Sequence, residues 1–441
     1  MEQELLELAQ TIVSECQADQ AEAVVQDGTE AVSRFANNVL HQNMQEWSRR
    51  IDVRVLLGKR VGCASGTVAD LDDARRVVAK ATELARVAGE IPDFESFAEP
   101  QPIPEAPPAV AEDVIQCTPA QRGALVEEAL DVARERSLAA AGALSVRSGT
   151  LTVANSLGVA AVHSSTATHF HVVMQDEDSA GYASAEGRSL ADTRVREVAE
   201  RAADKATLGR NPRHIKAEPL AVVLEPVAAA ELLDMFSFGF NALLYQEQKS
   251  FVCDYLGQQA CTSFLNLTDD GLDPRTNVRP FDFEGLPRRR VELIKDGAIS
   301  GLVHNTYTAA RAKPPTQSTG HATQPPGRWG PLPRNLIVSP GEGSLEDLIA
   351  RVDRGLFISR IHYLNCVHPR KTILTGMTRE GTFLIEQGQI TGAVHNLRFT
   401  ERFVDALGRI AAIGCKGERH GSVWTPPLLI ESFSFTSETE F

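Results

Sequence analysis

Two hydrophobic rhythms alternate along this chain. Leu5, Leu8 and Ile12 recur at helical spacing and predict an amphipathic helix over residues 2–15. Ile51, Val53, Val55 and Leu57 then alternate with polar neighbours, which predicts a half-buried strand. A turn, Gly62-Cys63-Ala64-Ser65, follows. Asp70 is placed to cap a helix with Ala74, Val77, Val78, Ala81 and Ala85 on its apolar face, and Gly89 to end it. The same series returns 119 residues later. Phe170, Val172 and Met174 match the strand, and Gly181-Tyr182-Ala183-Ser184 matches the turn. Ser189 takes the cap position; Val195, Val198, Ala199, Ala202 and Ala206 form the apolar face; Gly209 ends the helix. Two copies make a duplicated unit of antiparallel strands plus one helix, not a solenoid.

Pro-rich sequence from Glu99-Pro100 to Pro108 separates the copies, and a helix is expected over about 119–137. Past Asn211-Pro212 the chain becomes rich in hairpins. The stretch Leu293–Asn305 matches Leu384–Asn396, with Asp296-Gly297 and Gln387-Gly388 where two-residue turns need positive φ. Helices are expected near 226–247 and at 345–353, the latter capped by Ser344 with Asp347 three residues on. Residues 311–334, rich in Pro, Gly and Thr, read as a long loop. The fold class is α+β: duplicated antiparallel strand–helix units in the N-terminal half and a hairpin-rich, mostly-β C-terminal domain. The expected divisions are an N-terminal unit at 1–95, a linker at 96–118, a central unit at 119–212 and a C-terminal domain at 218–441.

Charge and composition narrow the functions. A net charge of −14 and a pI near 5.3 argue against a broad nucleic-acid surface. Arg288-Arg289-Arg290 is the only short basic run and reads as a solvated edge. The acidic start MEQELLELAQ does not read as a secretory leader, and no apolar run is long enough to span a bilayer. Seven scattered cysteines without a CxxC suit a reducing cytoplasm.

Candidate chemistry is sparse. No histidine precedes a glutamate, so HExxH is absent. His169 and His171 share one strand face, but their repeat counterparts are Arg50 and Asp52, so that face reads as polar and outward. His304 and His395 are repeat-equivalent hairpin ends and read as structural. Cys253, Cys261, Cys366 and Cys415 carry no local mark of activation and read as small apolar residues. There is no GxSxG elbow, phosphate loop or GxGxxG fingerprint.

Several segments, in order, resemble the TldD/PmbA family, also called modulators of DNA gyrase. They are Val53-Arg54-Val55-Leu56-Leu57-Gly58-Lys59-Arg60-Val61-Gly62; Ser250-Phe251 with Leu256-Gly257-Gln258; Ser318-Thr319-Gly320-His321-Ala322; Gly343-Ser344-Leu345-Glu346-Asp347-Leu348-Ile349 with Gly355; and Gly381-Thr382-Phe383-Leu384-Ile385. TldD-type members carry HExxxH on the helix that follows a strand like Ala221–Pro226. Aligned here, Met235 and Phe240 stand at the two histidine positions and Phe236 at the glutamate. A shift of one puts Asp234 at the first histidine and still gives no second ligand. Cys415 does not match the family's C-terminal Cys ligand. The resemblance therefore implies a TldE-type chain with no catalytic residue or metal of its own. It also implies a heterodimer with a TldD-type subunit that supplies zinc, and a peptide as substrate. Two alternatives remain. One is a self-sufficient peptidase using His321, His362, His368 or Cys366; the other is a regulatory module that binds protein. The cluster Phe236, Phe238 and Phe240 reads as helix core, or as an interface or cleft wall.

Overall fold

One antiparallel sheet joins the two N-terminal units. The computed structural model describes residues 1–327 and 329–439. Arg328, within the expected long loop, and Glu440 and Phe441, at the end of the expected C-terminal domain, lie outside the described residues. Helix α1 (Glu2–Glu15) leads into β1 (Gln20–Ala36), β2 (Val39–Leu57) and β3 (Arg60–Thr67), then α2 (Leu71–Val87). Short α3 (Glu112–Ile115) and α4 (Pro119–Glu135) precede β4 (Ala139–Asn155), β5 (Ala160–Gln175), β6 (Ala180–Gly187) and α5 (Val195–Leu208). The strand order is β3-β2-β1-β4-β5-β6. The two units thus meet edge to edge, through antiparallel pairing of β1 with β4 from Glu22↔Asn155 to Phe35↔Gly142.

The helices cover one face of this sheet. Ala23, Val25, Ile51 and Val53 pack with Leu5, Ala74 and Ala81, and Leu144, Phe170 and Val172 pack with Val126, Val198 and Ala202. Gly62 and Gly181, expected in turns, instead lie inside β3 and β6. A Cβ at Gly62 would stand 2.1 Å from the Ala81 carbonyl oxygen, and one at Gly181 would stand 2.1 Å from that of Ala202. The glycines therefore serve close helix-on-strand packing, not a change of direction. Asp70 does cap α2, its carboxylate accepting the Asp73 N–H at 2.9 Å. Ser189 does not cap α5. Asp192 accepts the N–H groups of Arg188 and Ser189 first, a 3-10 turn over Ala191–Thr193 intervenes, and Arg194 in the left-handed region begins the helix.

The other face of the sheet is polar, as its residues predict, but it is not outward. Asp52 and Glu22 are fully buried there, and Arg54 bonds Glu22 at 2.7 Å and Glu284 of the C-terminal half at 3.4 Å. Gln324 donates to Asp52 at 2.9 Å, and Phe281 and Leu286 pack against Val24 and Val153. Period-two polarity identifies a face, but it does not say what covers that face.

The C-terminal half builds two further sheets. Its strands are β7 (Pro219–Leu224), β8 (Leu267–Asp269), β9 (Val291–Lys295), β10 (Ala298–Ile299), β11 (Leu336–Val338), β12 (Arg354–Ile358), β13 (Ile361–His368), β14 (Ile373–Thr378), β15 (Thr382–Glu386), β16 (Gln389–Ala393), β17 (Leu397–Arg402), β18 (Ile410–Ile413), β19 (Glu418–His420), β20 (Val423–Thr425) and β21 (Leu428–Glu438). One sheet runs β10-β9-β8-β11-β20-β19; the larger runs β13-β14-β17-β21-β7-β12-β15-β16, with β18 on β21. The repeated hairpins are β9–β10 and β15–β16, one in each sheet, and their turn residues all have positive φ. The helix expected near 226–247 is divided into α6 (Pro226–Ser237), a 3-10 turn at Phe238–Phe240 and α7 (Ala242–Gln246). A Cβ at Gly239 would sit 2.1 Å from the Phe251 ring, so the helix stops where that ring inserts. Asn241 then caps α7, accepting the Leu243 N–H at 2.8 Å. No helix is long and apolar enough to cross a membrane among the described residues.

Candidate functional site

The only charged residues of helix α6 are Glu231 and Asp234, three residues apart and therefore on one side. Ala229, Leu232, Leu233 and Phe236 bury the opposite side in the core of the C-terminal half. Glu231 and Asp234 line a cleft of about 480 Å³ together with Arg334, Arg360, His362 and His420. Past His362 and Tyr363 lies a larger hollow of about 1080 Å³, lined also by Asp176, Arg379 and Glu380. The cleft thus lies between the helix, the start of β13 and the β19–β20 turn.

Each acidic group is already engaged. Glu231 accepts the Ile361 N–H at 2.7 Å, with Arg360 at 3.8 Å. Burial pushes its pKa up to about 7 and Glu380 adds to the rise; the Ile361 N–H and Arg360 offset it only in part. Asp234 accepts the Ser422 hydroxyl. Arg360 bonds Glu380 at 2.5 Å and lies over the Tyr182 ring at 4.2 Å, tying the cleft to β6.

His169 and His171 stand behind this wall. Their rings stack at 5.1 Å, and β19 packs on β6 beside them. Glu186 lies 3.9 Å from both His169 and His420. Burial lowers the pKa of all three histidines, that of His171 to about 4, with His169, Arg360 and His420 adding to the effect on His171. Their strand face was expected to point outward. It instead meets the C-terminal half, and the imidazoles are held neutral at the junction.

The residues singled out at the family's motif positions stand away from the cleft. Phe236 stacks on Phe251 at 4.6 Å and meets Phe240 edge-on at 5.6 Å and Phe403 at 5.5 Å. Phe240 is fully buried, Met235 packs against the same core, and Phe238 is partly exposed. The other candidates are not brought together. His321 is buried against Asp269 at 2.9 Å, His368 caps a 3-10 turn, Cys366 is exposed on β13, and only His362 lines the cleft. Arg288 is likewise buried, bonding Asp269 at 2.5 Å, and is not a solvated edge. Sequence reading missed Glu231, Arg360, His420 and Ser422. The available signal was a pair of acids three apart on a helix with no other charge.

Residues 217–437, half of the chain, match the PmbA/TldA metallopeptidase C-terminal domain, and residues 21–85 match domain 1 of the same proteins. The chain belongs to the PmbA/TldD family. A metalloprotease TldD homolog of Haemophilus influenzae is 24% identical over 186 residues, covering 41% of this chain and 37% of that protein. Metalloprotease PmbA of Escherichia coli O157:H7 is 22% identical over 261 residues, covering 58% of this chain and 55% of that protein. The chain thus spans little more than half, or less, of these relatives. The crystal structure of TldE from Thermococcus kodakarensis shares the fold, with a TM-score of 0.87 over 99% of each chain at 20% identity.

The family name implies a metal, and the residues of α6 do not fit one. Two phenyl rings and a thioether in the core offer no imidazole or carboxylate to zinc. Asp234 is held by Ser422, and Glu231 is held by a backbone N–H. Among the described residues, no group of three His, Cys, Asp or Glu side chains is placed to hold a metal ion.

Proposed function

We propose that this chain is the non-catalytic, TldE-type subunit of a cytoplasmic two-component peptidase, with zinc supplied by a TldD-type partner. The observation that carries this reading is the content of α6. Its motif positions are packed into the aromatic core, and its two cleft-facing acids are bonded within the protein.

What the chain retains is a place to hold an extended peptide. Strand β13 is an edge of the nine-stranded sheet and borders the cleft, with Tyr363 and Val367 strongly exposed. Its pairing with β14 is interrupted between His362 and Asn365, and Tyr363 has φ +51°. A bulge of this kind re-aims side chains at a sheet edge. Strand addition along β13 supplies backbone hydrogen bonds that are indifferent to peptide sequence. Glu231 is then a carboxyl that donates a proton or a hydrogen bond near neutral pH, and Arg360 is a fixed cation for a peptide carbonyl or carboxylate. The acidic net charge supports protein and peptide partners over nucleic acid.

The test is metal analysis and a peptidase assay on the purified chain, alone and mixed with a TldD-type protein. The expected result is no zinc and no cleavage by the chain alone, with cleavage in the mixture above that of the partner by itself. Stoichiometric zinc in the lone chain, or cleavage by it, sinks the reading.

A further inference from the structure

A second cavity, of about 540 Å³, lies on the polar face of the N-terminal sheet beneath residues Asn277–Arg279. Its floor crosses four strands at Ser48, Gly28, Gly149 and Ser165, which pair in that order. Two glycines flanked by two serines leave this row without bulky side chains, and a Cβ at Gly28 would stand 2.6 Å from the Ser148 carbonyl oxygen of the neighbouring strand. The row lies at the centre of the β1–β4 pairing, where the two duplicated units meet.

The charge around this hollow is unbalanced. Arg50, Arg147, Arg188 and Arg279 line it, against only Asp27 and Glu30. Asp27 is taken by Arg49 at 2.8 Å, Glu30 by Arg147 at 2.5 Å, and Arg50 bonds Asp52 at 2.7 Å. Among the described residues the Arg188 guanidinium donates only to the carbonyls of Pro108 and Pro274, at 2.6 and 2.9 Å. Among the described residues Arg279 has no side-chain hydrogen bond and no carboxylate within ion-pair distance; its guanidinium lies 5.1 Å over the Phe283 ring. Burial lowers its pKa to about 10, with Arg288 and Arg334 adding to the fall and Asp282 opposing it. The hydroxyls of Ser48 and Ser165 also lack a protein partner among the described residues.

We propose that this cavity is a binding site for the oxyanion of a small ligand, a carboxylate or a phosphate, anchored by Arg279 with Arg188 and the two serine hydroxyls. Arg279 is half-buried at the cavity wall beside other cations and has no countercharge of its own, and a bidentate oxyanion supplies that charge directly. The volume suits a small molecule and not a folded partner. The assignment is independent of the peptidase reading, because the cavity and the α6 cleft share no lining residue.

The test is calorimetric titration of the full chain with inorganic phosphate, with acetyl-dialanine and with acetyl-dialanine amide. Saturable binding of phosphate but not of the free acid identifies a phosphate site. Binding of the free acid but not of its amide identifies a carboxylate site. In either case Arg279→Gln is expected to weaken binding at least tenfold while circular dichroism stays native. Should that variant misfold, Ser165→Leu fills the hollow from the sheet side and is expected to abolish binding. No saturable binding of either anion, or binding unchanged in a folded variant, overturns the proposal.

Discussion

Replacing Asp269 with Asn is expected to be among the most damaging isosteric changes in the chain. Both carboxylate oxygens are fully buried and fully used. One accepts from Arg288 at 2.5 Å and His321 at 2.9 Å; the other accepts the N–H groups of Arg334 at 2.6 Å and Asn335 at 2.9 Å. Burial alone would raise the Asp269 pKa, but Arg288 and His321 outweigh it and hold the group below the usual carboxylate range. The Arg288 side chain is 3% exposed, and Asp269 is its only ion-pair partner among the described residues. An amide removes the countercharge and turns an N–H₂ toward two of the four donors. Breaking one side of a buried pair costs about 3–5 kcal/mol. With an unfolding entropy of about 2.1 cal/mol/K per residue, that corresponds to a fall of about 3–5 °C in Tm if the chain unfolds as one unit. Calorimetry and urea denaturation at pH 7 measure it. The folded pKa is depressed, so this contribution is present above about pH 3.9 and is lost as pH falls through the folded pKa. The gap between wild type and variant should therefore narrow in acid. A loss under about 1 kcal/mol at pH 7, or a gap that does not change with pH, would refute the reasoning.

Three further outcomes follow from the same geometry. Glu231 has a folded pKa of about 7, above its unfolded value of about 4.3, so wild type should lose stability relative to Glu231→Gln as pH rises from about 4.5 to 7. The total is about 2 to 4 kcal/mol, read from urea midpoints across that range; a pH-independent difference would contradict the assignment. Phe236→Ala should cost about 3–5 kcal/mol, because the ring is nearly fully buried among Phe240, Phe251 and Phe403, and a urea midpoint close to wild type would place that ring outside the core. Gly320→Ala should lower Tm clearly, because φ is +72° and the new Cβ would stand 2.2 Å from the Pro287 carbonyl oxygen; an unchanged Tm would mean that the loop is free to shift.

The sequence carried the local elements and the family. Helical spacing placed α1, Asp70 placed the start of α2, and Asp296-Gly297 and Gln387-Gly388 placed two hairpin turns, because each depends on neighbours within a few residues. The duplication was legible as a repeated period, and motif order was enough to identify the TldD/PmbA family. Tertiary structure decided what each face meets. The polar rows carrying Asp52, His169 and His171 looked solvent-facing, since a strand's alternation records polarity and not cover. The end of α6 just before Gly239 depends on Phe251, twelve residues beyond that glycine, and Arg288 became a buried cation only through Asp269, distant in sequence. The cleft depends on the same kind of distant meeting. Glu231 and Asp234 were visible as two acids on an apolar helix, but only packing set Ile361 and Ser422 against them and raised the pKa of Glu231, because burial and partners distant in sequence set those energies.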